Sequence, residues 1–287
     1  MTGRADVRKD VLPSYPDILR RSRPRRCFDA AMRVEAFDVG WLTTIAGVIR
    51  AGDSTEESVR FPVPAYLIET ATERILVDNG LHPAAVADPP GFYDGADSVA
   101  IFGFEQDRSI ADHVDLSTVT TVVLTHLHFD HAGAVALVPP AVPVVVQAAE
   151  WAAGHDAAAI QRNFYLPRAY GEVERPVRLV DGDHDLLGDG SVRLLSTPGH
   201  TPGHQSVQVG DLVIGGDVTH FAAGLDDRRF PVFGDDLDAQ GRSADRLTAL
   251  RDAGHTVLPG HDASVLRPGP RTARPLPAGR GDAAPAR

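Results

Sequence analysis

The sequence predicts a mixed α/β fold, and three features of the chain carry that prediction. Short runs rich in Val, Ile and Leu recur and end at Gly, Pro, Asn or Asp, as strands do before turns. Segments with helical spacing of their apolar residues lie between several of these runs. The sequence shows no internal repeat with a period of about 20–50 residues, which excludes a solenoid or a propeller. Strands interleaved with helices are typical of an α/β domain.

Eight runs are predicted strands, and they follow one another along the middle of the chain. They are Pro64–Glu69, Arg74–Asp78, Val119–Thr125, Val142–Gln147, Val192–Ser196, Gln205–Val209, Leu212–Gly215 and His255–Leu258. Helical spacing marks three further segments, Ala132–Leu137, Ala148–Ala159 and Ser243–Ala253. Residues 84–110 form a long irregular segment with three Phe residues, which we interpret as a wall or lid near a site.

The composition is that of a globular protein with one large domain. The 287 residues are 43% hydrophobic and 23% charged, which excludes a wholly disordered or fibrous chain. No apolar stretch approaches the roughly 18 residues of a membrane span, and the charged N-terminus does not resemble a secretory signal. Cys27 is the only cysteine, so the chain can form no internal disulfide. We therefore expect a cytoplasmic protein without a membrane partner.

Charge is distributed unevenly along the chain, whose formal net charge is −11. Residues 1–31 and 267–287 are basic and lack sustained periodicity, so they are predicted to be a flexible N-terminal extension and a disordered C-terminal tail. Met32, where the pattern begins, is an alternative start of the protein. The domain predicted over residues 32–266 is strongly acidic. Because such a surface repels phosphates, we expect no nucleic-acid partner.

Four potential metal ligands lie within six residues, directly after a predicted buried strand. They are His126, His128, Asp130 and His131 in the segment His-Leu-His-Phe-Asp-His. Imidazole and carboxylate are the ligands that zinc and similar divalent ions take when cysteine is absent. His126 and His128 point the same way in an extended segment, and a turn after them lets one loop reach two metals.

Three later strands also lead through a small-residue turn to a candidate ligand. These ligands are His200, Asp217 and His261. Residues at strand ends are where α/β folds place their active sites. Each histidine alone is more often a surface or core residue, but a cluster joined by three strand-terminal ligands is hard to obtain by chance. We interpret His204, four residues after His200, as a hydrogen-bonding residue and not as a ligand.

This combination of residues resembles the metallo-β-lactamase superfamily, whose mark is His-x-His-x-Asp-His followed by a later His, Asp and His. The resemblance covers roughly residues 32–266 and implies a four-layer αββα sandwich with two divalent metal ions, most often Zn²⁺, at one edge. It implies seven ligands: His126, His128 and His200 for one ion, Asp130, His131 and His261 for the other, and Asp217 as the bridge. It also implies that Asp78 orients a ligand imidazole through a hydrogen bond.

Several further segments of the sequence resemble N-acyl-homoserine lactone lactonases, which open the lactone ring of quorum-sensing signals. They are Phe129 in the His-x-His segment, the run Thr197–Ser206, the early segments Pro62–Glu69 and Val77–Pro83, and Pro259–Asp262. The resemblance implies a lactonase in which a hydroxide bridging the metals attacks the lactone carbonyl. Metal-bound water of this kind is a nucleophile at neutral pH.

One position departs from the lactonase pattern. Related lactonases carry a Tyr three residues after the bridging Asp, where this chain has His220. An imidazole can donate to the carbonyl or protonate the leaving alkoxide as a phenol would, or it can simply line the pocket. We therefore take Asp130 and His220 as candidate catalytic residues. Phe129, His220 and Phe221 are the candidate substrate contacts.

Several alternative functions remain open at this point. The nearest is a lactonase for a different ring, such as a pyridoxolactone-like substrate. A glyoxalase II-like thioesterase shares the ligand set, but the chain after His261 lacks the basic helical region expected for glutathione. A true β-lactamase is disfavoured because zinc β-lactamases lack this full ligand set. An RNA-processing nuclease is disfavoured because it needs a basic surface to hold RNA, and residues 32–266 are acidic. A metal-loaded binding module would bind metal but show no turnover. A small-molecule lactone is the expected partner, and a homodimer is left open.

Overall fold

The computed structural model describes residues 32–93, 99–171 and 175–275. The predicted N-terminal extension, residues 1–31, lies outside the described residues, as does the part of the predicted tail after residue 275. Within the described part of the chain, no helix is both long and apolar enough to cross a bilayer.

The larger sheet combines an antiparallel half with a parallel half. Its strands among the described residues are β1 Met32–Ile45, β2 Ser58–Glu69, β3 Arg74–Val77, β4 Gly103–Glu105, β5 Thr121–Val123, β6 Val144–Gln147, β7 Val177–Val180 and β13 Arg271–Ala273. They pair in the order β13-β1-β2-β3-β5-β6-β7, with β4 also on β1. Strands β3, β5, β6 and β7 run parallel, so their carboxyl ends meet at one edge.

The smaller sheet is built from the second half of the chain. Its described strands are β8 His184–Asp185, β9 Val192–Ser196, β10 Gln205–Val209, β11 Leu212–Gly216 and β12 Thr256–Pro259. They pair in the order β12-β11-β10-β9-β8, and β11 and β12 are parallel. The carboxyl ends of β11 and β12 therefore also lie at one edge.

Ten short or medium α-helices occur among the described residues, and most are a single turn. They are α1 Ala46–Ile49, α2 Pro83–Ala87, α3 Pro89–Phe92, α4 Ile110–His113, α5 Phe129–Ala132, α6 Ala148–Ala153, α7 Ala157–Arg162, α8 Pro167–Tyr170, α9 Gly224–Asp227 and α10 Leu237–Asp252. Short 3₁₀ turns lie at Leu116–Thr118, Val135–Leu137 and Ala263–Val265. Only α10 is long enough to present a regular apolar face.

Three apolar clusters show that the layers are helix, sheet, sheet, helix. The central cluster joins residues of both sheets, including Ile75 and Val77 from β3 with Val207 and Ile214 from the smaller sheet. A second cluster packs the outer face of the larger sheet against the helices and loops of the first half of the chain. The third contains Leu247 of α10 and covers the outer face of the smaller sheet. This is the αββα arrangement that the resemblance implies.

All eight predicted strands are present, whereas the helices differ from their predicted bounds. The predicted helix Ala132–Leu137 is wrong, since α5 ends at Ala132 and the Ala134 amide donates to the Asn79 side chain. The predicted helix Ala148–Ala159 divides into α6 and α7, because Asp156 caps the second of them. Helix α10 begins six residues earlier than predicted, where Asp236 accepts a hydrogen bond from the Ala239 amide.

The long strand β1 and the short strands β4, β7, β8 and β13 were not predicted, and β4 lies within the segment predicted to be irregular. Asp38 and Gly40 interrupt the apolar pattern of β1, and the β1–β2 register shifts there. Gly40 has a φ of 147°, so the break is a bulge that suits a residue without a side chain. Strand β13 pairs with β1, so ordered structure continues beyond Leu266, the predicted end of the domain.

Candidate metal centre

The predicted ligands come from loops at the carboxyl ends of strands in both sheets. His126, His128, Asp130 and His131 follow β5 of the larger sheet, and α5 supplies the turn that separates the last two from the first two. His200 follows β9, Asp217 follows β11 and His261 follows β12. All seven side chains are buried. The two sheets thus bring residues that are up to 135 positions apart to one edge of the sandwich.

One set of donor atoms contains three imidazoles and one carboxylate. The His128 Nδ1 atom lies 3.0 Å from His126 Nε2 and 3.1 Å from His200 Nε2. The Asp217 Oδ2 atom lies 3.4 Å from His200 Nε2 and 3.8 Å from His126 Nε2. Ligands 2.0–2.1 Å from a tetrahedral zinc stand about 3.3 Å from one another. We call these four residues the first donor group.

A second set of donor atoms lies beside the first. The His131 Nε2 atom is 3.4 Å from His261 Nε2 and 3.7 Å from Asp130 Oδ2, and His261 Nε2 is 3.5 Å from the same Asp130 oxygen. The other oxygen of Asp217, Oδ1, lies 3.4 Å from His131 Nε2. We call Asp130, His131 and His261 the second donor group. Asp217 therefore contributes one carboxylate oxygen to each group.

Hydrogen bonds on the outer side of the imidazoles leave their inner nitrogens free to bind a metal. The His128 Nε2 atom donates to the Asn163 carbonyl at 2.9 Å, and His261 Nδ1 donates to the Pro62 carbonyl at 2.8 Å. His131 Nδ1 donates to Asp78 Oδ2 at 2.8 Å. Since a neutral imidazole carries one proton, the nitrogen facing the donor group keeps its lone pair.

Asp78 organises the start of the ligand loop as well as His131. Its Oδ1 accepts from the Thr125 amide and its Oδ2 from the Thr125 hydroxyl, both at 2.8 Å. That hydroxyl also lies 3.0 Å from His126 Nδ1 and accepts a hydrogen bond from its N–H. The predicted role of Asp78 in orienting a ligand imidazole thus has a direct contact to His131 and a relayed contact to His126.

Burial and local charge set the protonation of the cluster. Burial lowers the pKa of His126, His128 and His200, which keeps them neutral. For His131 and His261 burial also acts to lower the pKa, but the nearby Asp217 and Asp130 carboxylates raise it above its ordinary value. A cation placed between the donors takes over the role of those protons, because ligating imidazoles are deprotonated at the bound nitrogen.

The donor set fits a divalent metal ion. Asp217 Oδ1 is buried and has no hydrogen-bond donor among the described residues. An unpaired buried carboxylate oxygen is costly, and a cation satisfies it. A side chain at Gly260 would place its Cβ 2.2 Å from that same oxygen, so glycine is needed for the close approach of the His261 loop.

His204 is a partner of Asp217 and not a ligand. Its Nε2 accepts from the Asp217 amide at 2.9 Å, and its Nδ1 donates to the Thr197 carbonyl at 3.1 Å. Both ring nitrogens are therefore occupied. The structure agrees with the expectation that His204 forms hydrogen bonds behind the ligands.

An apolar cavity of about 600 Å³, including its open mouth, leads to the two donor groups. Its lining includes His128, Asp130, Asp217 and His261 of the donor groups, together with Phe129 and His220. The remaining lining residues are apolar: Leu42, Ile49, Phe61, Ile101, Phe102, Phe164 and Phe233. Ile101 and Phe102 belong to the irregular segment interpreted as a wall. Such a cavity suits a substrate with an apolar chain.

Not every predicted substrate contact is on this wall. Phe221 is not among the lining residues; it lies beside His220 and packs, half-buried, against the core, so its role as a substrate contact stays a prediction. Leu42 and Phe61 were missed because they belong to β1 and to the unpredicted beginning of β2. No local motif marks Ile49 or Phe233, which reach the cavity only through the fold.

A family model described as the metallo-beta-lactamase superfamily matches residues 59–261, which contain all seven predicted ligands. The chain belongs to the metallo-beta-lactamase superfamily. It is 27% identical over 235 residues to the N-acyl homoserine lactonase AttM of Rhizobium johnstonii, covering 76% of this chain and 88% of AttM. The superfamily assignment confirms the family that the sequence resembles.

Two solved structures are similar to this chain in fold. One is an N-acyl homoserine lactone hydrolase with the product N-hexanoyl-L-homoserine at its catalytic metal center, at 22% identity and a TM-score of 0.70 over 81% of this chain and 94% of that one. The other is AidC, described as a dizinc quorum-quenching lactonase, at 16% identity and a TM-score of 0.63 over 86% and 92%. Both confirm the predicted fold.

Proposed function

We propose that this protein is a dinuclear metal-dependent lactonase that opens N-acyl-homoserine lactones. The observation that carries the proposal is a pair of donor groups that share Asp217 at the floor of an apolar cavity. Two groups of that geometry suit two divalent ions. Their donors are imidazole nitrogens and carboxylate oxygens, which suit Zn²⁺. The names of AttM and of the two solved relatives point to the same substrate class.

The proposed ligands are His126, His128 and His200 for one ion and Asp130, His131 and His261 for the other, with Asp217 between them. Ions held there would supply Lewis acidity toward a carbonyl oxygen and would lower the pKa of water toward neutrality. The cavity wall, with Phe129 at its base, binds the acyl chain and excludes bulk water. The presence of a single cysteine, Cys27, supports a cytoplasmic location. The acidic charge of residues 32–266 supports a neutral small-molecule substrate.

Opening the lactone breaks the ring C–O bond, and the departing oxygen must take up a proton. Two side chains in the cavity lining can assist this step, the Asp130 carboxylate by holding the proton and the His220 imidazole by hydrogen bonding to the oxygen. Burial lowers the pKa of His220 to about 3, so it is neutral and carries one N–H. A neutral imidazole can donate a hydrogen bond to the substrate oxygen while keeping its own proton, which is the role proposed for His220 in place of a phenol.

His220→Ala is expected to lower kcat about 100-fold while both ions are retained, because the variant loses a hydrogen-bond donor to the substrate oxygen and no proposed ligand. Metal content by elemental analysis and steady-state kinetics on one preparation check this. The His220 Nε2 atom lies 3.5 Å from Asp217 Oδ2, so ligation is the competing role. Loss of an ion from His220→Ala would show that His220 is a ligand. His155→Ala, at an exposed histidine, serves as the control.

Ring opening releases a proton, so a pH-indicator assay against homoserine lactones with acyl chains of increasing length tests the proposed substrate. We expect turnover, with kcat/KM rising about fourfold for each methylene that the cavity buries, equivalent to about 0.8 kcal/mol. Turnover of glutathione thioesters or pyridoxolactone-like rings, but of no homoserine lactone, would contradict the substrate and leave the metal site standing.

A further inference from the structure

Glu150 is a fully buried carboxylate that belongs to neither donor group. It lies in α6, and its side chain has no exposure to solvent. A carboxylate is costly to bury unless several donors surround it. Its position therefore needs an explanation, and the proposed chemistry of the donor groups does not supply one.

Three hydrogen bonds reach this carboxylate, and two of them come from backbone amides in the segments that carry the first donor group. Glu150 Oε1 accepts from the Leu127 amide at 2.9 Å, and Leu127 lies between His126 and His128. Glu150 Oε2 accepts from the Gly203 amide at 2.9 Å, three residues after His200. One side chain thus ties together the two loops that supply the three imidazoles of this group.

The third hydrogen bond links the carboxylate to the cavity wall. The Tyr165 hydroxyl donates to Glu150 Oε1 at 2.8 Å. Two residues before it, the Asn163 carbonyl accepts from His128 Nε2, and the residue between them, Phe164, lines the cavity with a φ of 57°. A non-glycine residue in this region is strained, so the segment is held in place by its neighbours.

Glu150 and Asp78 bind different parts of the loop that carries the first four candidate ligands, residues 125–131. Asp78 contacts Thr125 and His131, the two ends of the loop, whereas Glu150 contacts its centre. The Gly203 backbone also packs closely on α6, since a Cβ at this position would lie 2.1 Å from the Glu150 amide nitrogen. The loop has little secondary structure of its own here, so these contacts set where the imidazoles point.

We propose that Glu150 is a positioning residue that sets the geometry of the first donor group, and therefore the affinity of the ion bound there. This inference rests on the proposed ligands. A glutamine at this position keeps the size of the side chain but offers one acceptor oxygen, so its amide N–H groups face the Leu127 or the Gly203 amide. Two donors facing each other push one loop away.

The test is a metal titration of Glu150→Gln in competition with a chelator. We expect the affinity for one of the two ions to fall about 10–100-fold, as is usual when a partner of a ligand is lost, and the other to change less than about threefold. In a His128→Ala background, which already weakens the first donor group, Glu150→Gln should add nothing. Glu105→Gln, at an exposed glutamate paired with Arg60, is the matched control.

Equal affinities for both ions in Glu150→Gln and in the wild type would overturn the inference, as would an equal loss at both sites. If the wild type itself binds no ion, the proposed function fails instead. Should Glu150→Gln not fold, Tyr165→Phe removes only one hydrogen bond and keeps the ring. We expect it to weaken the same ion about fivefold, and no change there would equally overturn the inference.

Discussion

Asp217→Asn is expected to lower the affinity for both metal ions by more than about 100-fold and to reduce kcat/KM by at least as much. Its two carboxylate oxygens lie 3.4 Å from His200 Nε2 and 3.4 Å from His131 Nε2, one in each donor group. An amide has one acceptor oxygen and directs N–H hydrogens at the other cation. Since loss of an outer partner alone costs about 10–100-fold, loss of a shared ligand costs more.

Metal content after dialysis and lactone kinetics on the same preparation measure this effect. Asp245→Asn is a suitable control, because Asp245 is an exposed aspartate of α10 that is paired with Arg228 and belongs to neither donor group. Unchanged metal content and turnover in Asp217→Asn would refute the bridging role.

Asp78→Asn is expected to weaken metal binding about 10–100-fold without changing the fold. The carboxylate accepts hydrogen bonds from the Thr125 amide, the Thr125 hydroxyl and His131 Nδ1, and an amide cannot accept all three. Asp78 has a φ of 56°, a conformation that asparagine tolerates well and alanine does not. The asparagine variant therefore isolates the hydrogen bonds from the backbone.

Competition with a chelator gives the metal affinity of Asp78→Asn, and thermal unfolding of the metal-free protein gives its stability. Asp88→Asn provides the control, since Asp88 caps α3 through the Gly91 amide far from any ligand. A variant with wild-type metal affinity would show that Asp78 is dispensable for orienting His131. A fall confined to the unfolding temperature of the metal-free protein would assign it a structural role alone.

The candidate metal ligands could be picked out from the sequence because each depends on local chain geometry. A buried strand, a small-residue turn and then His or Asp recur at His200, Asp217 and His261, and four more ligands are nearly consecutive. Strand ends are fixed by short-range patterns, so the edge at which the ligands meet follows from the strand assignment. The four-layer arrangement needed the family resemblance as well.

The residues that surround the ligands were not predictable in the same way. Glu150 and Tyr165 approach the ligand loop only through long-range contacts of α6 and the segment after α7. The bulge at Gly40 interrupts the alternation of apolar and polar residues along β1, so the strand was not recognised in the sequence. The position of Leu42 in the cavity lining was missed for the same reason. For Phe221 the sequence offered only its place beside His220, which says nothing about the direction of its side chain.

The most direct test of the proposed dinuclear lactonase is the number of metal ions per chain in a sample that is actively opening a homoserine lactone. Elemental analysis of the purified protein, with the pH-indicator assay run on the same fraction, gives both quantities. The geometry of the two donor groups predicts about two ions per chain, and activity that disappears on chelation and returns when the ions are restored. A fully active protein with one ion or none would contradict it.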